Sequence, residues 1–466
     1  MRQSAIRILE VEPHFSEERA RTPLKFGAVV MDAITYCHVR ARVETGHGQV
    51  ADGWGSMFLA DMWGWPSEAV PHDQRNAAMR AVTEAYCRIT AAVPGYHHPL
   101  DLFVALETDL GRCARDVAHR LGLAEAMPQL CALICAAPVD AALHDAFGLA
   151  NGIGTYDGYG AELMPRDLSA YLGPAFAGRY PADFLRSRYA PTVPVFHLVG
   201  GLDKLRRSEV ETSDPDDGLP NSLDDWVARD GLTKLKVKLQ GTDLAWDTAR
   251  TIEVVRVAQE VLRQSAPERE GDLRVSADTN EQCPDPQYVL DYLHGLRERA
   301  PDAYDALLYV EQPTERDLTA HRWDMRPIAA LKPVIVDESL AGLADYDLAR
   351  ELGWSGVAIK VCKGQSGAIL VLSRAAAEGV PYTIQDLTNP GLALIQSVGL
   401  AARCGALNGV EANSHQFYPA TSRPEAAVHP GIFRRQHGVL TTASIGPLGL
   451  GYRIGEVKRP FIGASA

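Results

Sequence analysis

Short apolar segments alternate with longer helical segments from about residue 192 onwards. This alternation is typical of βα units that build a parallel sheet. Eight parallel strands close most readily into a barrel, whose active site lies at the carboxyl ends of the strands. An open doubly wound sheet is the alternative, but the chain has no GxGxxG turn. The eight predicted strands are Thr192–Leu198, Thr233–Leu239, Leu273–Ala277, Ala306–Glu311, Pro333–Asp337, Gly356–Lys360, Pro381–Gln385 and Gly409–Ala412.

The region before these strands is predicted to form a separate α+β domain, residues 1–165. Residues 1–65 contain β-forming segments, and residues 73–150 contain long amphipathic helical stretches. Two Gly-containing loops, Arg19–Gly27 and Gly53–Phe58, are predicted to flank a strand rich in β-forming residues.

A chain of 466 residues is too long for one ordinary core, so a second domain is expected. We expect residues 190–422 to form the barrel. A polar, Pro- and Gly-rich stretch at 203–226 is predicted to be a surface excursion between its first and second strands. The C-terminal tail, residues 423–466, is predicted to pack back on the first domain.

Three consecutive predicted strands end in a carboxylate, at Asp278, Glu311 and Asp337. The spacing between these acids is about one βα unit, so a parallel barrel would place them side by side on one rim. Each acid alone could cap a following helix. Three acids in an apolar setting need a cation to stay ionised together, and all-oxygen ligands favour Mg²⁺, with Mn²⁺ possible.

Lysines stand on two other predicted strands. Lys234, Lys236 and Lys238 recur at every second residue of the second strand, which puts the three amines on one face. An exposed edge strand with a solvated lysine face would show the same pattern. The sixth strand ends in Lys360, across the barrel mouth from the second. Lys363, three residues further on, is interpreted as a loop cation.

These residues suggest a chemistry. A metal at one side of the mouth could hold a substrate carboxylate, and a lysine on either face could remove or return the α-proton. Such a lysine must be partly neutral, so its pKa must be lowered by burial, the metal or another ammonium group. Lys236 could supply that repulsion and also hold a carboxylate oxygen.

Three motifs make the chain resemble the enolase superfamily, in particular the mandelate racemase and muconate-lactonizing enzyme family. Residues 139–148, VDAALHDAFG, are similar to its linker-helix motif, and residues 235–238, LKVK, to its KxK strand. Residues 359–363, IKVCK, resemble the sixth-strand lysine motif of the muconate-lactonizing subgroup. The additional Lys234 leaves Lys234 with Lys236 as a competing KxK pair.

The resemblance implies an α/β fold, a modified TIM barrel, (β/α)7β, with an N-terminal α+β capping domain. It implies Asp278, Glu311 and Asp337 as Mg²⁺ ligands, with Glu338 beside them. It also implies Lys238 as base, Lys236 as electrostatic helper and Lys360 as second acid/base. A mandelate racemase-type His-Asp dyad is disfavoured, because the sixth strand offers a lysine. Further residues expected near the ligands or the substrate are Asn280, Asp386, Asn389, His415 and Trp54.

Two active-site lysines favour racemisation or epimerisation of a small-molecule carboxylate. Cycloisomerisation, or dehydration of a hydroxyacid or acid sugar, would use the same residues. A non-catalytic relative is the alternative of another class.

The composition of the chain bears on its binding partners and its cellular compartment. The net charge of −13 argues against a general nucleic-acid surface. No uninterrupted apolar run approaches membrane-spanning length, and the N-terminus lacks a signal-peptide pattern. Eight scattered cysteines without a CxxC pair indicate a reduced protein. We expect a cytoplasmic homo-oligomer with no nucleic-acid or membrane partner.

Overall fold

The computed structural model describes residues 3–26 and 29–461. The chain begins with a three-stranded antiparallel sheet of order β1-β2-β3 and continues with four helices. The strands are β1 (Ile6–Phe26), β2 (Val29–Thr45) and β3 (Val50–Phe58). The helices are α1 (Asp61–Gly64), α2 (His72–Ala91), α3 (Pro99–Leu121) and α4 (Gln129–Asn151).

The two loops predicted in this domain are strand instead, within the described residues. β1 extends through Phe26, and β3 covers all of Gly53–Phe58; Gly27 itself lies outside the described residues. Gly53 and Gly55 serve close packing on α4. An added Cβ would stand 2.1 Å from the Ala146 amide nitrogen at Gly53 and 2.1 Å from the Pro138 carbonyl oxygen at Gly55. Glycine therefore lets this strand lie against a helix backbone.

Helix α4 lies between the sheet and the second domain, and nearly all its residues are buried. Among the described residues, α4 is the one helix that is both long enough and apolar enough to cross a membrane. Its most apolar window is 100% buried within the protein. Its polar side chains contact both domains. Asp140 accepts from the Ser366 amide and hydroxyl, each at 2.8 Å, and His144 Nε2 lies 2.7 Å from Ser366 Oγ.

Eight parallel strands follow in chain order and close on themselves, because the last pairs with the first. This confirms the predicted capped barrel. The strand ends differ from the prediction by at most one residue. The strands are β4 (Thr192–Val199), β5 (Lys234–Lys238), β6 (Arg274–Asp278), β7 (Leu307–Glu311), β8 (Val334–Val336), β9 (Gly356–Lys360), β10 (Tyr382–Gln385) and β11 (Val410–Glu411).

Helices surround the barrel and connect its strands. The predicted excursion at 203–226 ends earlier than expected, because its last four residues form the first turn of a helix. The helices from the linker to the last barrel strand are α5 (Ser169–Leu172), α6 (Leu223–Asp230), α7 (Leu244–Ser265), α8 (Pro286–Arg299), α9 (Pro301–Ala306), α10 (Arg326–Ala329), α11 (Leu343–Glu351), α12 (Gln365–Glu378) and α13 (Gly391–Arg403).

The described part of the tail contacts both domains. Its elements, with the short helix before it, are α14 (Ser414–Phe417), α15 (Arg423–Val428), α16 (Pro430–Phe433) and β12 (Val439–Thr441). Strand β12 pairs antiparallel with β4 of the barrel. The Leu450 amide donates to Asp145 of α4 at 2.7 Å, and the Phe461 ring stacks on His14 of β1 at 5.2 Å.

Candidate active site

The carboxyl ends of neighbouring barrel strands bring the predicted acids together with a lysine. Backbone pairing places Lys238 opposite Asp278 and Asp278 opposite Glu311. Asp337 follows directly after β8. All three carboxylates are 0% exposed, so they need cationic or hydrogen-bonding partners to remain charged.

The lysines of β5 supply part of that partnership. Lys236 Nζ lies 2.7 Å from Glu311 Oε1 and 3.0 Å from Asp278 Oδ2. Lys238 Nζ lies 2.5 Å from Asp278 Oδ2. Lys234 donates instead to a backbone carbonyl just before β6, at 2.9 Å, towards the opposite end of the barrel. The lysines that meet the acids are therefore Lys236 and Lys238.

The acids Asp278, Glu311 and Asp337 form a row, and its other side is contacted by two amines. They belong to Lys360, which ends the sixth barrel strand, and to Lys363, three residues further on. Lys360 Nζ lies 2.6 Å from Asp337 Oδ2. Lys363 donates to the Asp337 carbonyl at 2.6 Å and lies 3.2 Å from its Oδ1. Lys363 is thus buried against an acid and is not the loose loop cation that the sequence suggested.

These contacts set the charge of the amines. Burial by itself lowers the pKa of Lys236, but Glu311, Glu411 and Asp278 raise it well above its usual value. Burial likewise opposes a charged Lys360, yet Asp337 raises its pKa above the usual range. The lowered pKa expected of a catalytic lysine is not found at these two residues, because each ammonium group contacts carboxylates directly.

The carboxylates respond to burial and to one another. Burial raises the pKa of Glu311 to about 8. Lys236 lowers this pKa, whereas the charges of Asp278 and Asp337 raise it further. Burial, Asp337 and Asp278 raise the pKa of Glu338 to about 7. Against burial, Lys360 and Lys363 lower the pKa of Asp337 to about 2. Crowding of carboxyl groups at the ends of β6, β7 and β8 therefore favours the protonated form of Glu311 and Glu338, whereas the neighbouring lysines keep Asp337 ionised.

No three His, Cys, Asp or Glu side chains in the described chain lie together closely enough to hold a metal ion in the observed arrangement. The predicted ligand cluster is not assembled as such, because its carboxylates pair with lysines. The chemistry of the set still fits Mg²⁺. Every candidate ligand is a carboxylate, and Glu338 Oε2 is buried without a hydrogen-bond partner.

The last two strands form an acceptor-rich wall opposite the metal-ligand candidates. Asn413 Nδ2 donates to Glu411 Oε1 at 2.6 Å and to Asp386 Oδ1 at 3.3 Å. This orientation leaves Asn413 Oδ1 buried without a partner. Burial and then Glu411 raise the pKa of Asp386 to about 8. These residues share one cavity with the lysines Lys236, Lys238 and Lys360.

The capping domain closes this cavity with Leu24, Met31, Met62 and Trp63. Trp63 is the polar member of this group. Its Nε1 donates to Glu338 Oε1 at 2.9 Å, and its ring centre lies 4.5 Å from Lys360 Nζ. The ring therefore touches both the acid row and the sixth-strand lysine.

Asn280 lies between Lys238 and Glu338. Its Oδ1 accepts from Lys238 at 2.9 Å, and its Nδ2 donates to Glu338 Oε1 at 2.9 Å. Its φ is 45°, and Gln312, directly after Glu311, has a φ of 29°. Non-glycine residues with positive φ are uncommon and concentrate at functional sites.

Three other predicted residues do not line the cavity. Trp54 is buried on the face of β3 away from α4, where its ring stacks on His14 at 6.2 Å. Asn389 Oδ1 accepts from the Phe58 amide at 3.4 Å. The His415 ring lies 3.0 Å from the Ile432 carbonyl oxygen, beyond β11. None of the three lines the cavity in the observed arrangement, and their contact with a substrate stays a prediction.

Two contacting residues were not predicted from the sequence. Gln385 Nε2 donates to Glu311 Oε2 at 2.7 Å, and its Oε1 accepts from Lys236 at 3.2 Å. Gln385 could have been predicted, because it ends a barrel strand as the three acids and Lys360 do. Trp63 had no such signal, because only the packing of α1 on the barrel brings it to the site.

Trp63 gives a testable prediction. Trp63→Phe keeps a ring beside Lys360 and loses the N–H donated to Glu338, which we expect to lower kcat/KM for α-proton exchange roughly tenfold. Trp63→Leu also loses the cation–π contact and should lower it by roughly a further fivefold. Trp54→Phe is the matched control and should leave kcat/KM within about twofold. Equal activities for the two Trp63 variants would contradict a role for the ring.

The fold and the site together define an enzyme of the enolase superfamily: a capped barrel with acids at the ends of three consecutive strands and lysines on both sides. The family described as Enolase C-terminal domain-like matches residues 219–457, which is more than half of the chain. The chain belongs to this family. A search of curated proteins finds no match.

Solved structures with the same fold include enzymes of several activities. One is a muconate lactonizing enzyme from Mucobacterium Smegmatis complexed with muconolactone, with 18% identity, 96% of each chain covered and a TM-score of 0.58. Another is a dipeptide epimerase from Enterococcus faecalis complexed with Mg and L-Leu-L-Tyr, with 15% identity, 96% of this chain and 99% of that chain covered and a TM-score of 0.57. A third is an enolase from Bradyrhizobium complexed with magnesium and mandelic acid, with 16% identity, 96% and 95% covered and a TM-score of 0.58.

Proposed function

We propose that this chain removes and returns the α-proton of a carboxylate substrate in a Mg²⁺-dependent racemisation or epimerisation. The observation that carries the proposal is the placement of two lysines. Lys238 ends the second barrel strand and Lys360 ends the sixth, and both line one cavity. In a ring of eight strands, these two positions face each other.

Two amines on opposite sides of a bound acid suit transfer of a proton between the faces of one carbon. Lys238 takes the proton on one face as a neutral amine, and Lys360, as an ammonium group, gives a proton to the other face. The roles are exchanged in the reverse direction. Asp278 and Asn280 orient Lys238, and Asp337 and Trp63 orient Lys360.

Asp278, Glu311 and Asp337 are the residues that would hold Mg²⁺, or Mn²⁺ in its place. When bound, the ion supplies positive charge that stabilises negative charge developing on the substrate carboxylate. Lys236, 1% exposed between Glu311, Asp278 and Glu411, adds a fixed positive charge next to the same group.

The acceptor-rich wall supports a substrate with hydrogen-bond donors away from its carboxylate. Asp386, Glu411 and Asn413 Oδ1 offer acceptors to the cavity, and donors such as an amine or amide N–H would satisfy them. Relatives of the same fold include an L-Ala-D/L-Glu epimerase and an N-succinyl Arg/Lys racemase. We therefore propose an amino-acid derivative as substrate.

The test is α-proton exchange in D₂O, followed by ¹H NMR, with MgCl₂ and four probes: L-Leu-L-Tyr, N-succinyl-arginine, mandelate and muconolactone. We expect an amino-acid derivative to exchange its α-proton and to form its stereoisomer. Both reactions should be lost with EDTA and restored by MgCl₂. Turnover of muconolactone alone would favour cycloisomerisation. A β-hydroxyacid added as a further probe tests dehydration, because its β-hydroxyl can leave as water after the α-proton is removed. No exchange and no Mg²⁺ binding would indicate a non-catalytic relative.

The cytoplasmic location and the homo-oligomeric state stay predictions. Light scattering of the purified protein measures the second directly, and a mass near 50.6 kDa would contradict it.

A further inference from the structure

The capping hairpin of β1 and β2 is irregular just before it reaches the cavity. Arg19 pairs with Ala33, and the next pair is Leu24 with Met31. More residues of β1 than of β2 lie between these pairs, so Arg21 stands in a bulge of the first strand. Beyond the bulge, Leu24 and Met31 face each other and form part of the cavity roof.

The Arg21 side chain extends from this bulge to residues 217–221, in the surface excursion between the first two barrel strands. Its guanidinium donates to both carboxylate oxygens of Asp217, at 2.7 and 2.9 Å. It also donates to the carbonyls of Leu219 and Pro220 at 3.1 and 3.2 Å, and to Asn221 Oδ1 at 2.7 Å. Its side chain is 7% exposed. A planar fork of donors can satisfy so many acceptors at once, whereas a lysine cannot.

The excursion is itself held in place to receive Arg21. Asn221 Nδ2 donates to the Pro215 carbonyl at 2.8 Å, and Lys204 Nζ lies 2.5 Å from Asp214. A second backbone contact joins the hairpin to the barrel close to the roof, where the Gly201 amide donates to the Lys25 carbonyl at 3.3 Å.

We propose that Arg21 is a positioning residue for substrate binding. It fastens the capping hairpin to residues 217–221 of the excursion, and so holds Leu24 and Met31 over Lys236, Lys238 and Lys360. The excursion thereby becomes part of the substrate-binding apparatus without touching the substrate. The kinetic part of this inference rests on the proposed function; the fastening itself does not.

Hydrogen exchange of the full-length protein in MgCl₂ tests the fastening without a substrate. In Arg21→Gln, we expect amides of residues 20–26 and 29–35 to exchange at least tenfold faster than in the wild type. Asp217→Asn approaches the same contact from the barrel side and should give a smaller increase. The exposed Arg19, two residues away on the same strand, provides the matched control Arg19→Gln, with exchange unchanged.

Kinetics test the consequence for substrate binding. On whichever probe acid the wild type exchanges, Arg21→Gln should raise KM roughly tenfold and change kcat less than about threefold, and Arg19→Gln should change neither. Hairpin exchange equal in Arg21→Gln and Arg19→Gln would overturn the fastening. Faster hairpin exchange with an unchanged KM would overturn the positioning role. If the wild type exchanges no acid, the proposed function fails, while the amide-exchange result still decides the fastening.

Discussion

The Lys238→Ala and Lys360→Ala variants are expected to exchange the α-proton of opposite enantiomers and to racemise neither. Each variant keeps the amine on one face of the substrate and lacks the amine on the other. Racemisation needs both amines, so it should fall by at least about a thousandfold in each variant, within the usual contribution of a general acid or base. The measurement is ¹H NMR in D₂O, with each pure enantiomer incubated separately with each variant.

Lys234→Ala is the matched control for this experiment. Lys234 belongs to the same strand as Lys238, but its amine bonds to a backbone carbonyl away from the acids. Racemisation should therefore stay within about threefold of the wild type. If both lysine variants lose exchange of the same enantiomer, only one lysine acts as a base and the two-base mechanism is wrong. If neither loses exchange, these lysines do not carry the reaction.

The second large effect is expected from Glu311→Gln. Glu311 is the middle acid of the row, and the substitution keeps its shape while removing its charge. We expect Mg²⁺ affinity, measured by calorimetric titration, to fall at least about a hundredfold, and α-proton exchange by at least about a thousandfold. A thermal unfolding curve confirms that the variant is folded.

Glu411→Gln separates loss of a metal ligand from loss of a buried charge. Glu411 also contacts Lys236, at 3.2 Å, but it belongs to the last strand and not to the acid row. Mg²⁺ affinity should stay within about threefold of the wild type in this control. Equal Mg²⁺ binding by the wild type and Glu311→Gln would remove Glu311 from the ligand set.

The barrel and its acid row could be predicted because both depend on local pattern. Apolar strands separated by helical segments determine the strand order, and strands that end in Asp or Glu place carboxylates at one rim. The pairing of Lys238 with Asp278 and of Asp278 with Glu311 follows from that order. The choice between the two KxK pairs could not be made in this way, because all three lysines share one face of the strand.

Residues that act through contacts between domains could not be predicted in the same way. Gly53 looked like a turn residue, yet it is a point of close approach between β3 and α4. Trp54 and Trp63 are nine residues apart and each stands next to a glycine, so the sequence does not distinguish them. Of the two, Trp63 contacts Lys360. His415 follows a barrel strand, and its ring nitrogens nevertheless lie 3.2 and 3.0 Å from the carbonyl oxygens of Ala412 and Ile432.

Helix α4 couples the position of the sixth-strand lysines to the capping domain. Through Ser366, Asp140 holds the start of α12, the helix that follows Lys360 and Lys363 in the chain. The same helix supports the glycine-containing strand of the cap. A cap exchanged with that of a relative would bring a different α4 and would shift the sixth-strand lysines along with the cavity roof. The cavity roof and the segment that carries the sixth-strand lysines are thus supported by the same helix, so a change in α4 would affect both.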